Sequence, residues 1–110
     1  MLKNKYRNKK SEYEGIIFDS KGERDRYIFL KRMESFGLIQ DLKRQVTFKL
    51  FANEKLICKL IADFRYNKNN IDVVEDYKGL LTPVFRLKQK LFKANYGFDI
   101  KIVKNATEGF

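Results

Sequence analysis

Two hydrophobic periods alternate along this chain, and the switches between them mark out its elements. Ile16, Ile17 and Phe18 form a short extended segment. Ser20-Lys21-Gly22-Glu23 has the spacing of a helix capping box. Tyr27, Leu30, Met33 and Phe36 follow at helical spacing and Gly37 is a natural stop, so a helix is expected over about 20–36. From Val46 the period becomes two, with Val46, Phe48 and Leu50 set against Thr47, Lys49 and Phe51. Asn53-Glu54 reads as a turn and residues 56–66 as a longer strand. The polar run Asn67-Lys68-Asn69-Asn70 reads as a four-residue turn, and residues 71–78 as the third strand of an antiparallel meander. Thr82 and Pro83 open a second helix, as N-cap and first helical residue. Val84, Leu87, Leu91 and Ala94 supply its apolar stripe, and Gly97 ends it. A last strand is expected over 98–103. The order is β-α-β-β-β-α-β, a single α/β (α+β) domain with helices packed on a mixed sheet. Residues 1–14 read as a flexible basic arm, 15–104 as the folded domain and 105–110 as a frayed tail.

Composition narrows the function. With 110 residues, 44% hydrophobic and 35% charged, the chain suits one soluble globular core. No apolar run approaches a bilayer-spanning length, and the N-terminus lacks the apolar segment of a secretory signal. The lone Cys58 excludes an internal disulfide and suits a reducing compartment, so the cytoplasm is the expected location. Leu56, Ile57 and Leu60 around it suggest a buried strand thiol. Lys and Arg number 24 against 14 Asp and Glu, a formal charge of +10. Such a surface attracts nucleic acid through counterion release, and would also attract anionic lipid or an acidic protein. Histidine is absent. Serine–histidine triads, histidine zinc sites and imidazole acid–base chemistry are therefore excluded. Any catalysis must use carboxylates, lysine and a hard metal ion.

The central hairpin is where such chemistry could gather. With Asn67 to Asn70 as the turn, Arg65 faces Asp72, Asp63 faces Val74, Ala62 faces Glu75 and Ile61 faces Asp76. Period-two alternation then puts Asp63, Asp76 and Lys78 on one face, with the two aspartates as diagonal neighbours. Leu60, Ala62, Phe64, Tyr66, Ile71, Val73 and Tyr77 collect on the other. Neighbouring carboxylates repel, and a divalent cation between them removes the repulsion and supplies a Lewis acid. Oxygen ligands without His or Cys favour Mg²⁺ or Mn²⁺. Lys78 would stand beside that ion, placed to orient water or to stabilise charge on a phosphate. The same residues also suit a solvated strand face with surface ion pairs. A turn of three or five residues would bring Glu75, rather than Asp76, into line with Asp63. Glu75 otherwise falls on the core face, at its edge or beside a basic partner. Glu23 shares a helix face with Tyr27 and Leu30, where it serves either as a third carboxylate or only as part of the cap.

These residues resemble the PD-(D/E)XK nuclease superfamily. Ala62-Asp63 on one strand and Glu75-Asp76-Tyr77-Lys78 on the next carry the motif. Together with Phe18-Asp19-Ser20-Lys21-Gly22-Glu23, they make residues 12–103 similar to a family of small phage-encoded endonucleases. The resemblance implies a restriction-endonuclease-like core. It implies metal binding by Asp63, Asp76 and Glu23, and a catalytic role for these three with Lys78. Ala62 stands where the motif name has proline. Gln45 and Glu75 are candidates for supporting roles. Lys3, Lys5, Arg7, Lys9 and Lys10 of the arm, and Arg86, Lys88, Gln89, Lys90 and Lys93 of the second helix, are candidate phosphate contacts. The expected function is a Mg²⁺-dependent DNA endonuclease, by analogy acting on branched or recombination intermediates as a homodimer, away from membranes and in a host cytoplasm. A catalytically inactive DNA-binding module of the same fold, or a basic adaptor for an acidic protein, are the alternatives.

Overall fold

Three two-residue turns set the strand pairing. Glu14-Gly15, Asn53-Glu54 and Asn69-Asn70 all have positive φ at both residues, the backbone that type I′ hairpin turns require. In the computed structural model, which describes residues 9–110, they join β1 (Ser11–Tyr13) to β2 (Ile16–Phe18), β3 (Gln40–Ala52) to β4 (Lys55–Lys68), and β4 to β5 (Ile71–Tyr77). Helix α1 (Lys21–Ser35) follows β2, α2 (Pro83–Tyr96) follows β5, and β6 (Lys101–Val103) ends the series. The main sheet has the order β3-β4-β5-β6, with β6 parallel to β5 and the other pairs antiparallel. The protein is one α+β domain, a mixed four-stranded sheet with two helices. Residues 11–14, expected in a flexible arm, instead pair with 16–18 as a separate hairpin. No described helix is long and apolar enough to cross a membrane.

The turn at Asn69-Asn70 corrects the expected register. Asn67 and Lys68 belong to β4, opposite Asp72 and Ile71. Asparagine tolerates the left-handed backbone, and the I′ twist matches that of the strands, so two residues suffice where four were expected. The shift is two residues, so every side chain keeps its expected face while its partner changes. Phe64 now opposes Glu75 as the last pair of the ladder, so Asp63 and Asp76 are the next residues on the two strands rather than diagonal neighbours within it.

Both helices start where their caps predict. The Ser20 hydroxyl accepts the Glu23 N–H at 3.1 Å, and the Thr82 hydroxyl accepts the Phe85 N–H at 3.1 Å. The apolar stripe of α2 differs from expectation. Phe85 and Phe92 are the buried residues, whereas Val84 and Leu87 are 65% and 59% exposed, Ala94 is exposed and Leu91 is only partly covered. The two phenylalanines lie seven apart on one face, and Phe92 meets Phe48 edge-on at 5.0 Å. Their larger apolar area and ring contacts turn the helix roughly one residue away from the aliphatic stripe. The final strand is also shorter than expected, Lys101–Val103, and Cys58 is only half-buried.

The β3–β4 ribbon changes partner halfway along. Phe64 and Tyr66 of β4 pack with Leu30 of α1 and Ile39. Leu60 and Ala62, on the same face of the same strand, pack instead with Phe48, Leu50, and Phe85 and Phe92 of α2. The changeover falls at Asp63. Across from it on β3, Gln45 has φ +51°, a left-handed residue within a strand that stays paired on both sides, Arg44 with Phe64 and Val46 with Ala62. Between the two apolar clusters β4 carries Asp63, and polar side chains gather around it.

The outer end of β3 is an edge, and α2 closes it. Asn95 Nδ2 donates to the Phe51 carbonyl at 3.0 Å while its Oδ1 accepts the Phe51 N–H at 3.0 Å. The Tyr96 hydroxyl adds a bond to the Lys49 carbonyl at 2.7 Å. Asn95→Ala removes a two-way backbone pairing, and urea unfolding should register a loss of roughly 1–2 kcal/mol. The segment 105–110, expected to fray, carries a turn in which the Glu108 carboxylate accepts the Lys104 and Asn105 N–H groups. Phe110 beyond it lies 5.2 Å edge-on from Phe29.

Candidate active site

Beyond Phe64 and Glu75, carboxylates take over the pairing of β4 with β5. The Asp63 N–H donates to Asp76 Oδ1 at 3.0 Å, and the Tyr77 N–H donates to Asp63 Oδ2 at 2.8 Å. Each aspartate is thereby held by the backbone of the opposite strand through one of its oxygens. Lys78 Nζ lies 3.8 Å from Asp76 Oδ2. Its main chain is fixed by the Lys78 N–H bond to the Val103 carbonyl at 3.0 Å, and its ammonium lies 4.6 Å from the centre of the Phe85 ring. Glu23 arrives from the first turn of α1. Gln45 Nε2 stands 3.4 Å from both Glu23 Oε2 and Asp63 Oδ1, bridging helix and strand. Glu23, Gln45, Asp63, Asp76 and Lys78, from four elements and the end of β5, therefore meet where the two apolar clusters divide.

The cluster holds more negative charge than its cations neutralise. Asp76 is 2% exposed, and burial, followed by the Asp63 charge, pushes its pKa up to about 7 against the pull of Lys78. Burial likewise raises Glu23 to about 7, with help from Asp63 and Asp19 and against Arg44 and Lys78. A carboxyl raised on folding binds a proton in the folded state that the unfolded chain releases. Its stabilising effect is complete below the ordinary carboxylate range and is lost as pH rises through about 7. In EDTA, the melting temperature should therefore fall between pH 4.5 and pH 8. Glu23→Gln should melt a few degrees higher than wild type at pH 8, for roughly 1 kcal/mol, and no higher at pH 4.5. Equal curves at both pH values would mean that Glu23 is not strained by its neighbours.

A hard divalent cation fits this donor set. Among the described residues, no cluster of three or more acidic or cysteine side chains is arranged to enclose an ion. Mg²⁺ seldom needs such a cage, because it keeps several waters and takes one or two carboxylates together with substrate phosphate oxygens. Asp63 and Asp76 offer that pair in a buried, net-negative setting, with Glu23 next in line. Loss of the bound proton on metal binding follows from the raised carboxyls.

Other expected residues lie elsewhere. Glu75 is fully buried, held by Arg26 Nε and Nη2 at 2.6 and 2.9 Å and by the Tyr66 hydroxyl at 2.6 Å, which leaves it outside the cluster. Arg86, Gln89, Lys90 and Lys93 line one open groove of about 680 Å³ with Leu81 and Asp99. Lys88 is half-buried and does not line it. Lys9 and Lys10 are exposed before β1, while Lys3, Lys5 and Arg7 lie outside the described residues. Two arginines have roles that sequence patterns did not announce. Arg44 Nη2 sits 3.8 Å from Glu23, and its guanidinium lies 4.4 Å from the Phe18 ring centre. Arg26 holds Glu75. A helical wheel could have found Arg26, since it lies four residues before Leu30 on the buried face of α1, whereas nothing local marks Arg44.

No curated protein and no solved structure matches the chain significantly. A family model described as "Protein of unknown function (DUF1064)" matches residues 3–106. That match takes in both helices and all six strands, and the chain belongs to this family.

Proposed function

We propose that this protein is a metal-dependent DNA endonuclease with a restriction-endonuclease-like core of the PD-(D/E)XK type. The observation that carries the reading is the pair Asp63 and Asp76, backbone-locked, with Lys78 3.8 Å away and Glu23 joined through Gln45. The order of α1, the three-stranded meander, α2 and a strand parallel to β5 supports it as well. Asp63, Asp76 and Glu23 would hold Mg²⁺ or Mn²⁺. Such an ion supplies Lewis-acid stabilisation of phosphate charge and an acidified water. Lys78 keeps its ammonium at the cluster's half-exposed rim, where a phosphate oxygen gaining negative charge would find it. Gln45 orients Glu23 and Asp63 through one amide and prevents their two charges from splaying apart. The net charge of +10, the exposed Lys9 and Lys10 and the α2 groove support DNA as the partner.

Among the described residues the chain carries one such cluster, so cutting both strands of a duplex or a branched junction calls for two copies. A homodimer acting on branched DNA in the cytoplasm is the form that fits this reading. The test is nicking of supercoiled, linear, single-stranded and four-way-junction DNA with Mg²⁺, Mn²⁺ or EDTA. Wild type should cut at least one substrate only with metal, and Asp63→Ala and Lys78→Ala should not. Salt-sensitive binding without cutting on any substrate would replace the proposal with an inactive DNA-binding module.

A further inference from the structure

The β3–β4 ribbon continues beyond Asp63 with one face covered by α2 and the other bare. The covered face carries Phe48, Leu50 and Leu60. On the bare face, Thr47 stands opposite Ile61 and Lys49 opposite Lys59, and all four are exposed. Ile61 is 56% exposed. Directly opposed like charges destabilise a sheet. Neither Lys49 nor Lys59 has a carboxylate within ion-pair distance among the described residues. No acidic residue occupies these four positions either. The next face position on β4 is Asp63 itself, with Gln45 across from it on β3.

We infer that this bare ribbon face, through Lys49 and Lys59, binds the phosphodiester backbone of DNA flanking the bond presented to Asp63 and Asp76. The inference rests on the nuclease reading for its choice of ligand and adds a surface separate from the α2 groove. Lys59 lies four residues from Asp63 along β4, roughly 13 Å at strand rise. That distance corresponds to about four base-pair steps along a duplex axis, near 3.4 Å each, and to fewer phosphates along a backbone laid on the ribbon, because one strand's path winds around the axis. A backbone lying along the ribbon therefore reaches the carboxylates and the lysine pair together. Its phosphates supply the counter-charge that the paired ammonium groups lack, and Ile61 between them offers an apolar surface to the sugars. A protein partner would also have to be acidic; the continuity with the carboxylate cluster favours nucleic acid.

Equilibrium binding in EDTA separates this surface from cleavage. The full chain, Lys49→Gln/Lys59→Gln, and the remote control Lys31→Gln/Arg32→Gln on α1 would be titrated against a fluorescent 30-bp duplex and a four-way junction over 50–300 mM KCl. The control removes the same two charges, so net charge is matched. The ribbon variant should bind about tenfold more weakly at 100 mM salt. Its slope of log K against log[salt] should fall by about 2, for two released contacts. The control should bind within about twofold of wild type. Unchanged or raised thermal stability of the ribbon variant would show that folding is not the cause. Wild-type-like binding by the ribbon variant, or equal losses in both variants, would overturn the inference while leaving the nuclease reading intact. Absence of any DNA binding by wild type would overturn both.

Discussion

Asp76→Asn is expected to abolish metal-dependent nicking, by a factor on the order of 10³ or more, while making the metal-free protein more stable at pH 8. The first half follows from losing a carboxylate that would hold the ion. The second half follows from the burial of Asp76 and its raised pKa. Above about pH 7 the wild-type protein must keep that carboxylate charged beside Asp63, against the preference set by its surroundings. Asparagine has the same shape, and its Oδ1 can still accept the Asp63 N–H now bonded to Asp76 Oδ1 at 3.0 Å. The charge disappears while the lock between the strands remains. A residue kept only for folding would show the opposite sign, with stability and activity falling together. Saturating Mg²⁺ should raise the melting temperature of wild type and leave that of Asp76→Asn unmoved, since only a folded-state ligand shifts the equilibrium. Melting curves with and without metal, alongside a nicking assay, check all three statements. A variant that loses stability at pH 8 and still nicks would remove Asp76 from the site.

Why the cluster was legible while some of its surroundings were not is a matter of symmetry. Strand side chains repeat every two residues, so an error of two in the turn left Asp63, Asp76 and Lys78 on one face. Reading Asn67 and Lys68 as turn rather than strand changed which residues oppose one another, and so missed that the ladder ends at Phe64 and Glu75 with the two aspartates next in line. Helix starts were legible because Ser20, Thr82 and Pro83 act locally. The buried face of α2 was not, because Val84 and Leu87 compete with Phe85 and Phe92 for the same period, and only Phe48 on a distant strand decides between them. The left-handed backbone at Gln45 was invisible as well, since glutamine carries no turn signal. The opposed Lys49 and Lys59 were not legible either, because the Asn53-Glu54 turn alone would set Lys49 opposite Cys58, and only the register shift between Leu50 and Phe51 brings Lys59 across from it.

Arg26→Met should be the most damaging substitution for stability, by roughly 3–5 kcal/mol, because it strands a buried carboxylate. Arg26 and Glu75 are both wholly buried, so neither charge has water to fall back on. Arg26 uses one side of its guanidinium on Glu75 and the other on the carbonyls of Ala106 and Glu108, at 3.0 and 2.8 Å. Losing it therefore also releases the C-terminal turn. Melting should drop on the order of 10–20 °C, and limited proteolysis should begin near residues 105–110. Arg26→Met/Glu75→Gln should recover much of the loss, since the unpaired charge is gone and the amide oxygen can still accept the Tyr66 hydroxyl that now bonds Glu75 at 2.6 Å. This double variant also decides which of two adjacent acids serves the cluster. If Asp76 is the ligand, the double variant nicks DNA like wild type at a temperature where it is folded. If Glu75 were the ligand, it would be stable and inactive. The geometry favours the first result, because every close partner of Glu75 belongs to Arg26 or Tyr66, whereas Asp76 is tied to Asp63 and Lys78.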